Sequence, residues 1–396
     1  MSKVWRLNLS VAIPTLGHMY TTLAVSGYRS LRDVVLPLGR VTVVTGGNGT
    51  GKSNLYKALR LLAACGRGGV VGALAAEGGL PSVLWAGPEQ LSGARRTGRV
   101  EGTVRSGPVS LRIGVGGQAT SYLIDLGLPQ QGRSTAFNLD PEIKREAVWL
   151  GPILRPSTIV ARRKHAAAEV RDEAWQRVAA LAPYESLLDA TALDVVRDMR
   201  DELASWRFHD WLRTDPDAPA RRPHVGTRSP SLSDDGGNLA ATLQTIIEAA
   251  SAPVGALIDD AFPGSELHIH TDGALFDVAL TQPGMLRPLR AAELSDGTLR
   301  YLMLVAALHA PRPPALIALN EPEQSLHRSL IEPLARLIVS AAQRTQIIAV
   351  THNDELAAAL EQGPDTEHIR LTKDLGETLV EGQGLLSKPQ WEWGRR

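Results

Sequence analysis

The chain has 396 residues, with 42 Lys plus Arg against 42 Asp plus Glu and a formal net charge of zero. That length allows two or three structural units, and the charge balance argues against coating nucleic acid by bulk charge, leaving only a local basic patch open. One cysteine, Cys65, rules out a disulfide within one chain and fits a reducing cytoplasm, and no run of about 18 apolar residues suggests a membrane span.

Lys3 and Arg6 precede an apolar patch that weakly resembles an export signal, but Pro14 and His18 interrupt it, so a cytoplasmic protein is expected. Short strands are predicted over Tyr20–Val25, Val34–Leu38 and Val41–Thr45. The last of these runs directly into Gly46-Gly47-Asn48-Gly49-Thr50-Gly51-Lys52-Ser53, which fits the phosphate-loop pattern G-x-x-x-x-G-K-[ST] at every fixed position. Glycines let backbone N–H groups curl around a polyphosphate, Lys52 can reach the β- and γ-phosphates, and Ser53 can offer its hydroxyl to Mg²⁺. Asn54 completes the candidate contact set at the start of a helix over 53–65. Leu55, Leu59 and Leu62 pack that helix on the sheet, and its positive N-terminus points at the phosphates. A glycine-rich turn that binds nothing is the competing reading; strand, motif and helix together favour a nucleoside triphosphate.

A glycine-rich stretch at 66–98 leads into an alternating segment, 99–127, read as an antiparallel hairpin or meander. Ala168–Ala180, Leu193–Leu212 and Leu239–Phe262 have helical spacing, and the Pro- and Ser-rich Asp215–Asp235 is a loop. Leu267–Ile269 and Leu275–Leu280 read as strands. Ser295 is a plausible N-cap for a helix carrying Leu299, Leu302 and Met303, and a serine hydroxyl beside the Gly297 N–H at a helix start is also an anion site. The apolar run Ala315–Leu319 predicts a central parallel strand that ends in Asn320-Glu321-Pro322-Glu323. Gln346–Val350 is a second such strand, ending in Thr351-His352-Asn353. A histidine after a strand is more often structural; beside a phosphate loop and an acidic strand end, His352 reads as functional.

This order of motifs, a phosphate loop, Leu294-Ser295-Asp296-Gly297, a strand ending in Glu321-Pro322-Glu323 with Leu326-His327 beyond it, and a strand ending in Thr351-His352, resembles the ABC-type ATPase heads and within them the RecF/SMC-like group of bacterial ATPases. The resemblance covers residues 20–65 and 290–355. It implies an α/β P-loop head with a mixed sheet, an antiparallel β subdomain and a helical insert. Together with the residue patterns between its two stretches, this resemblance divides the chain into 1–150 for an N-terminal lobe with phosphate loop and β meander, 151–285 for an insert read as mainly helical from its spacing, and 286–396 for a C-terminal lobe. It further implies ATP and Mg²⁺ as cofactors, Glu321 as general base, His352 as a γ-phosphate sensor, and Ser295 and Gly297 as contacts to a nucleotide held by a second copy in an ATP-dependent homodimer. His327 would lie in the loop crossing that interface. The glutamine loop of such heads is not securely placed, with Gln118 and Gln90 as weak candidates. Two departures stand out: Asn320 replaces the usual aspartate near the metal, which suggests slow turnover, and Asp296 puts a carboxylate where an incoming phosphate is expected.

Arg162-Arg163-Lys164, Arg197, Arg200, Arg207, Arg213 and Arg221-Arg222, interleaved with Trp206, Phe208 and Trp211, could form a DNA surface; intervening acids such as Asp194, Asp198 and Asp201 favour ordinary solvated faces. Two functions therefore stand: an ATPase acting on DNA in repair, recombination or defence, or a nucleotide-gated sensor controlling a separate effector protein. The tail Trp391–Arg396 reads as a frayed terminus or a partner-docking peptide.

Overall fold

The computed structural model describes residues 19–88, 95, 110–129, 136–178, 180–384 and 387–394. Its centre is a six-stranded sheet in the order Arg207–His209, Leu316–Asn320, Gln346–Val350, Val41–Gly46, Thr366–Asp374 and Glu377–Val380. The first five strands run parallel and the last turns back antiparallel. Side chains alternate across this sheet. Val44, Leu316, Ala318, Ile348 and Val350 enter one apolar core, whereas Val41, Val43, Ile317, Leu319, Ile347 and Ala349 enter the other. Strands buried on both faces read as continuous apolar runs for this reason. Helix Lys52–Gly66 covers the first face through Leu55, Leu59 and Leu62, and helices Asp296–Leu308 and Ile331–Ala341 belong to the second core.

The first core is closed by an eight-stranded antiparallel sheet, ordered Leu31–Pro37, Tyr20–Tyr28, Leu111–Gly117, Thr120–Gly127, Glu142–Leu150, Ile159–Lys164, Ala167–Arg171 and Trp175–Arg177. The helix expected over 168–180 is therefore overturned. Alanine-rich sequence favours a helix in isolation, but Ala167–Arg171 pairs with Ile159–Lys164 and buries Ala168, so tertiary pairing overrides propensity. Likewise the helix expected over 193–212 stops at Ser205, and Arg207–His209 joins the parallel sheet with Trp206 buried edge-on to Tyr20 at 5.2 Å. The glycine-rich 66–98 stretch holds two short helices, Val70–Ala76 and Leu80–Val83; residues 99–109 of the expected meander lie outside the described residues.

A third, small antiparallel sheet pairs Glu266–Asp272 with Leu275–Thr281, flanked by His224–Val225 and Leu289–Arg290. Residues 151–285 thus mix the first three of these strands and four more, Ile159–Lys164, Ala167–Arg171, Trp175–Arg177 and Arg207–His209, with helices Asp194–Ser205, Leu239–Glu248 and Val254–Ala261, so the segment is not mainly helical. The whole is the α/β head anticipated, with a mixed sheet and an antiparallel β subdomain. Among the described residues no helix is long and apolar enough to cross a membrane. Cys65 is buried, and burial pushes its thiol up from its ordinary value. The tail packs on its own chain: Trp391 lies against Gly114, where an added Cβ would come within 2.4 Å of the indole, and its ring meets Trp149 at 5.6 Å.

Candidate functional site

Three neighbouring parallel strands deliver the candidate residues to one edge. Val41–Gly46 feeds the phosphate loop, Gln346–Val350 beside it leads to His352, and Leu316–Asn320 beyond that leads to Glu321. Parallel strands end on the same side, so motifs hundreds of residues apart converge at their carboxyl ends.

Within the loop Gly46, Gly49 and Gly51 have φ of 145°, 76° and 113°, a region that disfavours side chains. Gly47, Asn48 and Gly49 are exposed. Gly51 caps helix Lys52–Gly66 without a side-chain bond, so the first helical N–H groups are not taken by a capping side chain. Lys52 folds back on the loop, donating to Gly46 O and, at 3.2 Å, to Gly47 O. Thr50 Oγ1 donates to Gly47 O at 2.9 Å, and Ser53 is exposed at the helix start. Asn54 turns aside: its Nδ2 donates to Ser30 Oγ at 2.8 Å. Ser30 Oγ is 2.7 Å from Thr378 Oγ1, which lies 2.7 Å from Thr50 O. This polar cluster props the loop from behind and was not anticipated, because Ser30 and Thr378 sit in ordinary turn and strand sequence.

Opposite the loop, Asn320 closes its strand in register with Val350. Glu321 follows with φ 50°, its N–H bonded to Val350 O at 2.8 Å. Its Oε2 lies 3.2 Å from His352 Nε2, and both side chains keep solvent access, at 33% and 49% exposure. Arg300, buried in the middle of helix Asp296–Leu308, donates to Glu321 O and to Leu212 O, each at 3.2 Å. Burial pulls its guanidinium below its ordinary value, while the nearby charges of Glu323 and Glu321 push it back. A lone arginine within an apolar helical run was the signal that could have marked it. Glu323 is 9% exposed; Thr351 Oγ1 donates to its Oε1 at 2.6 Å, and its Oε2 has no hydrogen-bond partner among the described residues. His209, at the end of the edge strand, is held down to about 4 by burial and is neutral at pH 7.

Ser295 caps its helix, accepting from Thr298 N at 3.1 Å. Gly297 packs on the loop beyond Glu321, where an added Cβ would come within 2.9 Å of Ser325 O. His327 is exposed and accepts from Ser329 N through Nδ1. Gln118 is set apart from the loop: its N–H bonds Met19 O, and it borders a cleft with Gly39, Arg40 and Asp365, at the start of the Val41–Gly46 strand rather than its phosphate-loop end. Its strand turn faces the wrong end of the sheet for a γ-phosphate, and Gln90 lies outside the described residues.

Several arginines of the insert lie as the favoured reading had them, on solvated faces beside acids, and not as an open basic surface. Trp206 and Arg163 are buried, and Arg197, Arg200, Arg213 and Arg222 pair with Asp194, Asp201, Asp215 and Asp217. Such local pairs use up the charge that a phosphate backbone would need.

A family model described as "AAA domain, putative AbiEii toxin, Type IV TA system" matches residues 41–358, from the strand before the phosphate loop to just beyond His352. No curated protein matches the chain. Among solved structures it is similar to an SMC head domain bound to the C-winged helix domain of ScpA, at 15% identity, covering 93% of this chain and 98% of that one with a TM-score of 0.50. The SMC head domain from Thermotoga maritima aligns at 14% identity over 92% and 99% of the two chains, with a TM-score of 0.48. The first of these is a likeness of fold: the chain has the fold of an SMC head domain.

Proposed function

The chain belongs to this AAA-domain family of P-loop ATPases, and from that premise we propose that it binds ATP with Mg²⁺, hydrolyses it, and closes as a head-to-head homodimer while ATP is bound, so that its nucleotide state gates a separate effector protein. One observation carries the binding and hydrolysis in this reading: phosphate loop, Glu321 and His352 stand on three adjacent parallel strand ends, with Glu321 Oε2 3.2 Å from His352 Nε2.

In this reading Lys52 leaves the carbonyls of Gly46 and Gly47 for the β- and γ-phosphates, while the N–H groups of the loop and helix start cradle them. Glu321 orients and deprotonates the attacking water, and His352 reports the γ-phosphate. The exposed Ser53 hydroxyl, at the helix start, and the Asn320 amide, at a strand end on the same sheet edge, are hard oxygen donors, a set that fits magnesium. Magnesium held there supplies positive charge to the phosphates. Asn320 brings one negative charge fewer than aspartate would, and turnover is slow for that reason. Asn320→Asp is expected to raise steady-state ATP turnover about tenfold and to lower the magnesium concentration needed for half-maximal rate. An unchanged rate and magnesium dependence would dispose of that role for Asn320.

A second reading, action on DNA, has one observation in its favour. Trp175 on the edge strand of the antiparallel sheet is flanked by Arg162 at 4.1 Å and Arg171 at 5.4 Å; Arg162 is also paired with Glu169 at 2.6 Å, which leaves the aromatic ring and Arg171 as the groups that suit bases and phosphates. Steady-state ATP hydrolysis with and without linear duplex DNA, with Lys52→Ala as blank, separates the two. A low rate above the blank and indifferent to DNA supports the gated switch; stimulation by DNA moves the function to the second reading. No nucleotide binding and no hydrolysis would overturn both.

A further inference from the structure

Asp296 is an odd residue for a helix start that meets a nucleotide. A carboxylate in the first turn stabilises the helix dipole, but it opposes the approach of a polyphosphate, because like charges at an interface cost several kcal/mol. The structure supplies its counterweight from elsewhere in the chain. Arg221, on the short 3₁₀ turn Pro219–Arg221 within the 151–285 segment, is 9% exposed and reaches Asp296 Oδ1 at 2.5 Å. Its other donors clamp the backbone on both sides: Nε bonds Thr214 O at 2.8 Å, and one terminal nitrogen bonds Leu294 O at 2.7 Å and Ala291 O at 3.2 Å. Asp296 itself remains 60% exposed, so its charge faces outward on the side where Ser295 and Gly297 begin the helix.

We propose that Arg221 is a positioning residue for this helix start: it fixes the Leu294–Asp296 backbone and cancels the Asp296 carboxylate, leaving the helix N–H groups to meet the γ-phosphate held by a second copy of the chain. Arginine suits the task because its planar guanidinium serves all four of these acceptors at once and stays charged. The pairing makes the 151–285 segment part of the dimer site: whatever moves Arg221 exposes the Asp296 charge and weakens closure. The assignment rests on the ATP-dimer reading above.

The test uses Glu321→Gln protein, in which ATP-driven dimerisation is followed by sedimentation velocity and nucleotide binding to the monomer by a fluorescent ATP analogue. Adding Arg221→Met is expected to weaken dimerisation by about 10- to 100-fold while monomer affinity for the analogue stays within about twofold. Adding Asp296→Asn to that variant is expected to restore most of the dimer, since the charge to be cancelled is gone. A purely structural clamp would leave the loss in place, so failure of this rescue overturns the neutralising role. Equal dimerisation with and without Arg221→Met overturns the assignment alone. A Glu321→Gln protein that stays monomeric in saturating ATP overturns the dimer reading, and the assignment with it. Retained analogue binding by every variant certifies that each has folded.

Discussion

Glu321→Gln is expected to lower ATP turnover by about a thousandfold while leaving ATP binding intact, so that the ATP-bound dimer accumulates. A positioned general base contributes about 10²- to 10⁴-fold, and the amide that replaces it can still hydrogen-bond water but cannot take its proton. The backbone around residue 321 does not depend on the carboxylate. Its N–H is held by Val350 O and its carbonyl by Arg300, and both bonds survive the change. The glutamine can also keep a contact with His352, now without a negative charge on the partner. Rapid-quench measurement of the chemical step, together with light scattering of the ATP-loaded protein, checks both halves of the expectation. Normal turnover would remove Glu321 from the role of base. Slow turnover without a dimer would leave the base assignment standing and remove the dimer from the cycle.

Lys52→Ala is expected to weaken ATP binding by about 10- to 150-fold from the lost contact alone. The ammonium is the cation nearest the loop's own carbonyls, and a charge-assisted contact to phosphate in a partly desolvated loop is worth about 1.5–3 kcal/mol before its effect on loop shape. Stability should change little, because Gly46 O and Gly47 O border exposed loop residues and can bond water instead. The backbone arc rests on other supports, the bond from Thr50 Oγ1 to Gly47 O and the Ser30–Thr378 prop. Titration calorimetry with Mg-ATP and a thermal melt of the apo protein are the two readouts. Unchanged affinity would mean that the loop binds no triphosphate through Lys52.

Much of the head could be read directly. The run Val41–Val44 became a strand entering the loop, and Leu316–Leu319 and Gln346–Val350 became its parallel neighbours, because an unbroken apolar run of that length has few other ways to bury both faces. The helix at Ser295 was marked by its N-cap and apolar face. The errors have equally local causes. Ala166-Ala167-Ala168 carries helix propensity yet lies at a strand turn, and Trp206 and Phe208 continued a helical spacing that the chain abandons to place a fifth parallel strand beside Leu316–Asn320. The acids beside the insert's arginines, by contrast, correctly marked solvated faces, since Arg197 and Arg213 pair with Asp194 and Asp215; the burial of Arg163 against Glu146 was not legible.

What the sequence determined by itself was chemistry carried by consecutive residues. The glycine conformations of the phosphate loop, the strand periods and the helix caps all depend on neighbours within a few positions, so eight residues from Gly46 to Ser53 suffice to propose a nucleotide site. The tertiary structure alone decided the couplings between those pieces. Arg221 finds Asp296 across 75 positions, Arg300 finds the Glu321 carbonyl across 21, and Thr378 finds Thr50 across 328. A buried donor must take whichever acceptor the packing brings to it, and that choice depends on the sheet order rather than on the residues beside it in the chain.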